Sequence, residues 1–319
     1  MQELITDGLL LALGTAIVLW GADRFTDSAS ALARRWKVSE MVIGLTVVAI
    51  GTSLPEFVVS FFSAIRGIGD MSIGNIVGSN VFNTLVIIGA SAMMLPMAVA
   101  RSTVYRDMML ALGSAIALWA LCHNGELDLW DGTVLLVIFG MFMGYTFYIA
   151  RHQRRSADLA EKSQNTSSPE MSMRRIVTLL LFGLATLVGG GQLMVDSASS
   201  LAVACGMSKG IVGLTVLAAG TSLPELATSV AAARKGSNGL ALGNVLGSNI
   251  FNICLVLGVT ALVSPIQADG ITVLDWAVLT GSGVLLAVMA WTRNMVGRAE
   301  GAILLLAYMA YIGWLILNV

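Results

Sequence analysis

The sequence predicts an all-α integral membrane protein with ten transmembrane helices in two inverted five-helix repeats. Three observations support this prediction: the apolar composition, a long internal duplication and the distribution of basic residues along the chain. Of the 319 residues, 56% are hydrophobic and only 12% are charged, and the mean hydropathy is +0.83. Because a soluble domain of this size has about 25% charged residues, the composition excludes an ordinary soluble globular protein.

The duplication is clearest in two pairs of motifs. GLTVVAIGTSLPE (Gly44–Glu56) and GLTVLAAGTSLPE (Gly213–Glu225) are identical at 11 of 13 positions. GNIVGSNVFN (Gly74–Asn83) and GNVLGSNIFN (Gly243–Asn252) follow them, and both pairs have the same offset of 169 residues. The constant offset means that neither half has an insertion between its motifs, so the duplicated unit is continuous.

Matches outside the motifs extend the duplicated unit over at least residues 21–96 and 190–265. They include an Asp-Ser-Ala-Ser run that begins at Asp27 in the first half and at Asp196 in the second. Two interpretations of these aspartates stay open: a helix cap or interfacial ion pair, and a role in gating.

Ten segments have the length of about 20 mostly apolar residues that a transmembrane helix needs. The first half has predicted spans near residues 4–33, 41–65, 71–95, 103–121 and 129–150. The second half has predicted spans near residues 176–204, 210–233, 239–263, 272–291 and 300–317. The polar segment between the halves is predicted to be a cytoplasmic linker, which divides the chain into a repeat at 1–150, a linker at 151–175 and a repeat at 176–319.

The basic residues indicate how the spans are oriented. Fifteen of the 18 Lys and Arg residues follow odd-numbered spans or lie in the linker, whereas only Arg66 and Lys209 lie on the other side. The side rich in Lys and Arg faces the cytoplasm, so both termini are predicted to be extracytoplasmic, in the cell (inner) membrane. Because each half has an odd number of spans, the second half enters the membrane inverted. Inverted repeats with helices broken at matching positions are typical of secondary transporters, whose substrate sites lie near the midplane.

The GTSLPE motif combines a helix break with oxygen-bearing side chains. Pro55 removes one N–H group and frees the carbonyl group of Gly51, four residues earlier. Thr52, Ser53 and Glu56 have the spacing of side chains that share one helix face. An ionisable residue inside a membrane is a functional candidate by default; the alternative is a proline kink whose Glu is satisfied by a neighbouring helix.

The second motif adds hydroxyl and amide oxygens. Ser79 and Asn83 are four residues apart and share a helix face, as do Ser248 and Asn252. The neighbouring asparagines lie one residue further round the helix and are predicted to be structural: Asn80 and Asn249. The motif glycines are predicted to allow close helix packing: Gly74, Gly78, Gly243 and Gly247.

Together the motifs offer carboxylate, hydroxyl, amide and carbonyl oxygens, but neither thiolate nor imidazole. Hard cations such as Ca²⁺ bind about 6–8 oxygen ligands, whereas softer transition metals prefer other ligands. Glu56 and Glu225 would together balance one Ca²⁺ or two Na⁺ ions. The three cysteines, at positions 122, 205 and 254, are predicted to be free thiols packed as small apolar side chains.

The paired GTSLPE and GNxxGSNxFN blocks resemble the alpha-repeats of the sodium/calcium exchanger family, within the cation/calcium antiporter superfamily. The resemblance extends over essentially the whole chain, because the prokaryotic members of that family have ten helices in two inverted halves. It implies an antiporter that exchanges Na⁺ for Ca²⁺ by alternating access, with the first and sixth spans sliding across the core. It also implies ion ligands from both halves, two of them carbonyl groups of alanines: Ala49, Thr52, Ser53, Glu56, Ser79, Asn83, Ala218, Thr221, Ser222, Glu225, Ser248 and Asn252.

The resemblance implies no cofactor. The partners that it implies for this protein are the transported ions Ca²⁺ and Na⁺ and the lipid bilayer, with no nucleic acid or protein partner. The chain departs from some relatives at Asn252, where potassium-dependent and some archaeal members carry Asp, which disfavours potassium dependence. A proton/calcium antiporter has different motifs around its acidic residues and is also disfavoured. Two other classes stay open: a passive cation channel, and an intramembrane hydrolase, which the absence of a Lys or His base at depth argues against. We therefore expect a transporter rather than an enzyme.

Overall fold

The computed structural model describes residues 2–161, 171–204 and 218–318. Within these ranges the chain is almost entirely helical, with four two-residue strands. The helices of the first half are α1 (Gln2–Trp36), α2 (Glu40–Thr52), α3 (Leu54–Ile65), α4 (Gly69–Met94), α5 (Arg101–Asn124) and α6 (Leu129–Glu161). The helices of the second half are α7 (Met173–Ala204), α8 (Ala218–Thr221), α9 (Leu223–Arg234), α10 (Asn238–Val263), α11 (Val273–Arg293) and α12 (Arg298–Asn318).

Eight of the described helices are long and apolar enough to cross a membrane. A ninth candidate span consists of α2 and α3, which meet at Ser53 with a bend of 48°. The seventh predicted span, at 210–233, lies partly outside the described residues, and α8 and α9 are its described part. The structure therefore confirms a helical multi-pass membrane protein with eight to nine apolar spans in the described part of the chain. Side chains such as Leu306 and Met309 on α12 face outward, as expected of a lipid-facing helix.

The two halves have matching element bounds at the offset seen in the sequence. Helices α3 and α9 begin and end at equivalent residues, and so do α4 and α10. The strands β1 (Met97–Ala98), β2 (Glu126–Leu127), β3 (Ile266–Gln267) and β4 (Met295–Val296) form two antiparallel pairs, β1 with β4 and β2 with β3. Each pair joins one half to the other, and the two pairings are equivalent when the halves are exchanged.

Helices α4 and α10 form the centre of the fold. In their apolar windows 78% and 83% of the residues are buried, against 22% for α1 and 28% for α7. Close packing in the centre depends on glycine: a Cβ atom on Gly243 would lie 2.6 Å from the carbonyl oxygen of Met41, and one on Gly247 would lie 2.7 Å from Ala49 Cβ. The packing role predicted for these two motif glycines is thus confirmed. Gly74 and Gly78 have no such close neighbour among the described residues.

Helices α1 and α7 pack against each other along a second glycine seam at the periphery of the fold. A Cβ atom on Gly14 would lie 3.0 Å from the Gly190 carbonyl oxygen, and one on Gly21 would lie 3.2 Å from the Gly183 carbonyl oxygen. Because a side chain at either glycine would collide with atoms of α7, the two helices can form a closely packed antiparallel pair.

The aspartates of the duplicated Asp-Ser-Ala-Ser run have different partners. Asp27 Oδ1 lies 2.9 Å from Lys235 Nζ, so it forms an ion pair between α1 and the end of α9. Asp196 instead accepts a hydrogen bond of 2.8 Å from Gln192 in its own helix. The interfacial ion pair is therefore what the structure shows for Asp27. Cys122 and Cys254 are buried free thiols, and Cys205 lies outside the described residues.

Candidate functional site

The two GTSLPE motifs each form a helix break rather than a continuous helix. Helix α2 ends at Thr52, and α3 starts at Leu54 with Pro55 in its first turn. Proline is favoured there because the first turn of a helix leaves its N–H groups unused. The second copy breaks in the same way, with Ser222 between α8 and α9. Each break places a Glu in the first turn of the helix that follows.

The two glutamates are fully buried and are bound by the opposite half of the chain. Ser222 Oγ donates a hydrogen bond of 2.9 Å to Glu56 Oε1, and Ser53 Oγ donates one of 3.1 Å to Glu225 Oε1. The relative exposure of both glutamates is 0%. The serines therefore link the two motifs across the centre of the protein. Ser248 Oγ lies 3.5 Å from Glu225 Oε1 and adds a third hydroxyl.

The remaining ligand candidates of the second motif lie on α4 and α10, where the helices widen locally. Asn83 begins a π-helical segment, Asn83–Ile87, and Asn252 lies within another, Phe251–Leu257. π-Helical turns of this kind occur frequently at functional sites. Asn83 Nδ2 donates to Asn249 Oδ1 at 3.1 Å, and Asn252 Nδ2 donates to Asn80 Oδ1 at 3.1 Å.

Five buried oxygen atoms on these residues have no hydrogen-bond partner in the described part of the chain, and we call them the open oxygens. They are Glu56 Oε2, Glu225 Oε2, Ser79 Oγ, Asn83 Oδ1 and Asn252 Oδ1. A buried polar atom without a partner is costly, and a buried carboxylate is more so. No Lys, Arg or His side chain among the described residues forms an ion pair with either glutamate. The open oxygens therefore fit a bound hard cation.

Thr52 and Thr221 approach a pair of asparagines that the sequence analysis did not single out. The Thr52 hydroxyl donates to Asn244 Oδ1 at 3.0 Å, and the Thr221 hydroxyl lies 3.5 Å from Asn75 Oδ1. Both asparagines follow the first glycine of the GNxxGSNxFN motif. Their exact repetition at the common offset was the signal that could have identified them.

The same asparagines hold the glutamate backbones. Asn75 Nδ2 donates to Ser60 Oγ at 3.0 Å and to the Glu56 carbonyl oxygen at 3.4 Å. The second half repeats this arrangement at 2.9 and 3.3 Å, with Asn244 as donor and Ser229 and Glu225 as acceptors. Each asparagine thus fixes the helix turn that bears a carboxylate.

The two alanines of the predicted site are backbone candidates. Ala49 is buried, and its carbonyl oxygen accepts a hydrogen bond of 3.0 Å from the Ser53 N–H group, which leaves one lone pair available. Ala218 is the first residue of α8, and its side chain lies outside the described part of the structure, as does the motif segment 213–217. Of the twelve predicted residues, the side chains of Ser53, Glu56, Ser222, Glu225 and Ser248 are joined by direct hydrogen bonds.

Comparisons with known proteins agree with this architecture. The model of the family described as sodium/calcium exchanger protein matches residues 7–148 and 175–317. The putative antiporter CaxA of Alkalimonas amylolytica is 37% identical over 95% of this chain and 96% of its own length. The sodium/calcium exchanger MaX1 of Methanosarcina acetivorans is 30% identical over 95% of this chain and 97% of its own.

The fold is also similar to that of a solved exchanger structure. The structure of the sodium-calcium exchanger NCX_Mj superposes with a TM-score of 0.83 at 32% sequence identity, and the match covers 98% of this chain and 99% of that one. Family model, relatives and structure agree over nearly the full length. The chain therefore belongs to the sodium/calcium exchanger family.

Proposed function

We propose that the protein is a secondary active antiporter that exchanges Na⁺ for Ca²⁺ across the membrane by alternating access. The observation that supports this most strongly is the pair of fully buried glutamates, each with one open oxygen and with no basic partner among the described residues. Carboxylates at membrane depth are expensive unless a cation compensates them. A transported cation supplies that compensation while it is bound.

The proposed site lies at the midplane between the two GTSLPE motifs and binds ions through oxygen alone. Its ligands are carboxylate, hydroxyl, amide and carbonyl groups from both halves: Ala49, Thr52, Ser53, Glu56, Ser79, Asn83, Ala218, Thr221, Ser222, Glu225, Ser248 and Asn252. Two carboxylates and several neutral oxygens are what a hard cation such as Ca²⁺ prefers. The described residues contain no group of three His, Cys, Asp or Glu side chains that would favour another kind of metal site.

The charge of this site explains how one site can serve both ions. Two carboxylates give a charge of −2, which one Ca²⁺ or two Na⁺ ions neutralise. A third Na⁺ would leave a net charge of +1 on the loaded site. Exchange of several sodium ions for each calcium ion would then move charge across the membrane.

The proposed topology has ten spans in two inverted repeats, with both termini extracytoplasmic in the inner membrane. The reciprocal contacts between the halves support the repeat, and the basic residues of the linker and loops support the orientation. In this topology the pair α1 and α7 slides across the core and exposes the site to each side in turn.

The asymmetric contacts at the two ends of that pair support the sliding movement. Lys235 forms ion pairs with Asp23 at 3.1 Å and with Asp27 at 2.9 Å, and these connect one end of α1 to the end of α9. The equivalent of Lys235 in the first half is Arg66, which would face Asp196. Among the described residues Arg66 and Asp196 form no ion pair. A transporter closed on one side and open on the other would show this difference.

The test is uptake of ⁴⁵Ca²⁺ into proteoliposomes with outward-directed gradients of Na⁺, H⁺ or K⁺ imposed separately. We expect uphill uptake with the Na⁺ gradient alone. Uptake driven only by the H⁺ gradient, or only in the presence of K⁺, would identify a different coupling ion and overturn the proposal. Purely downhill flux that no gradient can drive uphill would instead identify a passive channel.

A further inference from the structure

Three polar residues behind the proposed ligands have no role in the function described so far: Asn80, Thr84 and Asn249. All three are buried, and they lie on the central helices α4 and α10. Asn249 and Asn80 bind the amides of Asn83 and Asn252, and Thr84 in turn binds Asn249.

An amide ligand has two chemically opposite ends. Its oxygen accepts and binds cations, whereas its NH₂ group only donates. A 180° rotation of the amide hardly changes its shape, so packing alone does not decide which end faces an ion. Hydrogen bonds to the NH₂ group can decide it.

Asn80 binds the NH₂ group of one ligand amide. Its Oδ1 atom accepts the 3.1 Å hydrogen bond from Asn252 Nδ2, and this leaves Asn252 Oδ1 as one of the open oxygens. Asn80 itself is held by a bond of 3.0 Å from its Nδ2 atom to the Asn249 carbonyl oxygen. Its orientation therefore depends on the backbone of the opposite half.

Asn249 does the same for the other ligand amide. Its Oδ1 atom accepts from Asn83 Nδ2 at 3.1 Å, and Asn83 Oδ1 is left as an open oxygen. The Nδ2 atom of Asn249 donates to Thr84 Oγ1 at 3.0 Å, and Thr84 Oγ1 donates to the Asn80 carbonyl oxygen at 2.9 Å. A chain of hydrogen bonds with fixed donor directions thus runs from the α4 backbone to the ligand.

We propose that Asn80, Thr84 and Asn249 are positioning residues that orient the amides of Asn83 and Asn252 with their carbonyl oxygens toward the transported cation. The proposal rests on the proposed function, since it assumes that a cation binds at the open oxygens. Partners outside the first ligand shell commonly fix ligand orientation in metal sites. None of these three residues contacts the ion in this arrangement.

The two halves differ at one position, and this difference provides the sharpest test. The equivalent of Thr84 in the second half is Ile253, so only the Asn249 amide depends on a side-chain hydroxyl. Thr84→Val removes that hydroxyl at nearly constant volume, whereas Thr84→Ser retains it. Thr260→Val is a matched control, because Thr260 is also buried and its hydroxyl bonds only its own helix, at 2.6 Å from the Val256 carbonyl oxygen.

The experiment measures the Ca²⁺ dissociation constant of purified protein by calorimetry, together with KM and kcat for sodium-driven uptake. Thr84→Val should weaken Ca²⁺ binding about tenfold and raise KM with little change in kcat. Thr84→Ser and Thr260→Val should bind Ca²⁺ like the wild type. Asn80→Ala, which removes the acceptor for the Asn252 amide, should also weaken binding about tenfold and serves as a second test if Thr84→Val does not fold.

The outcomes separate this proposal from the function on which it rests. If the wild type shows no sodium-driven uptake, the proposed function fails irrespective of the variants. If the wild type transports and both Thr84→Val and Asn80→Ala keep the wild-type Ca²⁺ affinity, the positioning role is wrong. A loss of thermal stability without any change in affinity or KM would likewise reduce the network to a structural role and overturn the proposal.

Discussion

Replacing Glu225 by Gln should abolish calcium binding while the protein still folds. Gln keeps the shape of the side chain and the oxygen to which Ser53 donates at 3.1 Å, but it removes one of the two negative charges. At about 4 Å and an effective dielectric constant of about 20, a unit charge and a divalent ion attract each other by about 8 kcal/mol. Half of this value, about 4 kcal/mol, already corresponds to about a thousandfold loss of affinity.

The assay is the rise in melting temperature of the purified protein on addition of Ca²⁺. Calcium at 100 times its dissociation constant stabilises the wild type by about 2.7 kcal/mol, and this gain should disappear in Glu225→Gln. Without calcium the variant should be at least as stable as the wild type, because a buried charge without a partner is destabilising. Glu126→Gln, which changes a carboxylate on β2 outside the site, is the control. Calcium transport near the wild-type rate by Glu225→Gln would refute the charge argument.

Three further predictions follow from the site, the packing and the topology. Asn252→Asp adds a third carboxylate, and repulsion from the other two favours its protonated form. In voltage-clamped proteoliposomes the exchange rate of this variant should therefore resemble that of the wild type at low pH and diverge from it as pH rises. Identical pH profiles of the two proteins would contradict this. Gly243→Val should lower the free energy of unfolding by about 1–3 kcal/mol through overpacking, since its Cβ would lie 2.6 Å from a carbonyl oxygen of α2. Gly281→Val is the control, because no atom lies within 4 Å of its Cβ, and it should lower the melting temperature less. In a cysteine-free background, a Cys at Ser163 should react only with reagents that reach the cytoplasm and a Cys at Asn124 only with external ones; labelling of both from one side would rule out the ten-span topology.

Much of the helical architecture could be predicted because the apolar spans and the duplicated motifs are recognisable in the sequence without knowledge of tertiary contacts. The break at Ser53 followed from Pro55, since proline cannot continue a helix in the usual way. Helix α6, by contrast, runs to Glu161, well past the predicted end of the span near residue 150. The polar residues after that point end the membrane-spanning part but are good helix formers, so polarity was a poor guide to where the helix ends.

The partners within the candidate site could not be predicted from helix spacing alone. Ser53 and Glu56 share a face by spacing, yet Ser53 donates to Glu225 of the opposite half. Spacing gives neighbours along one helix, whereas this bond depends on how two distant segments meet. The role of Thr84 was hidden for a further reason: it has no equivalent in the second half, so the duplication gave no sign of it.

The reciprocal serine bonds also limit how such a protein can originate. Ser222 donates to Glu56 and Ser53 donates to Glu225, so the shortest hydroxyl contact of each carboxylate comes from the opposite half. A polypeptide that corresponds to one half would therefore bury an incompletely solvated glutamate unless it met a second copy of itself. An ancestral protein of half this length could have assembled the same pocket only as a homodimer. Joining the two copies in one gene would later have allowed each copy to diverge, as positions 84 and 253 have done.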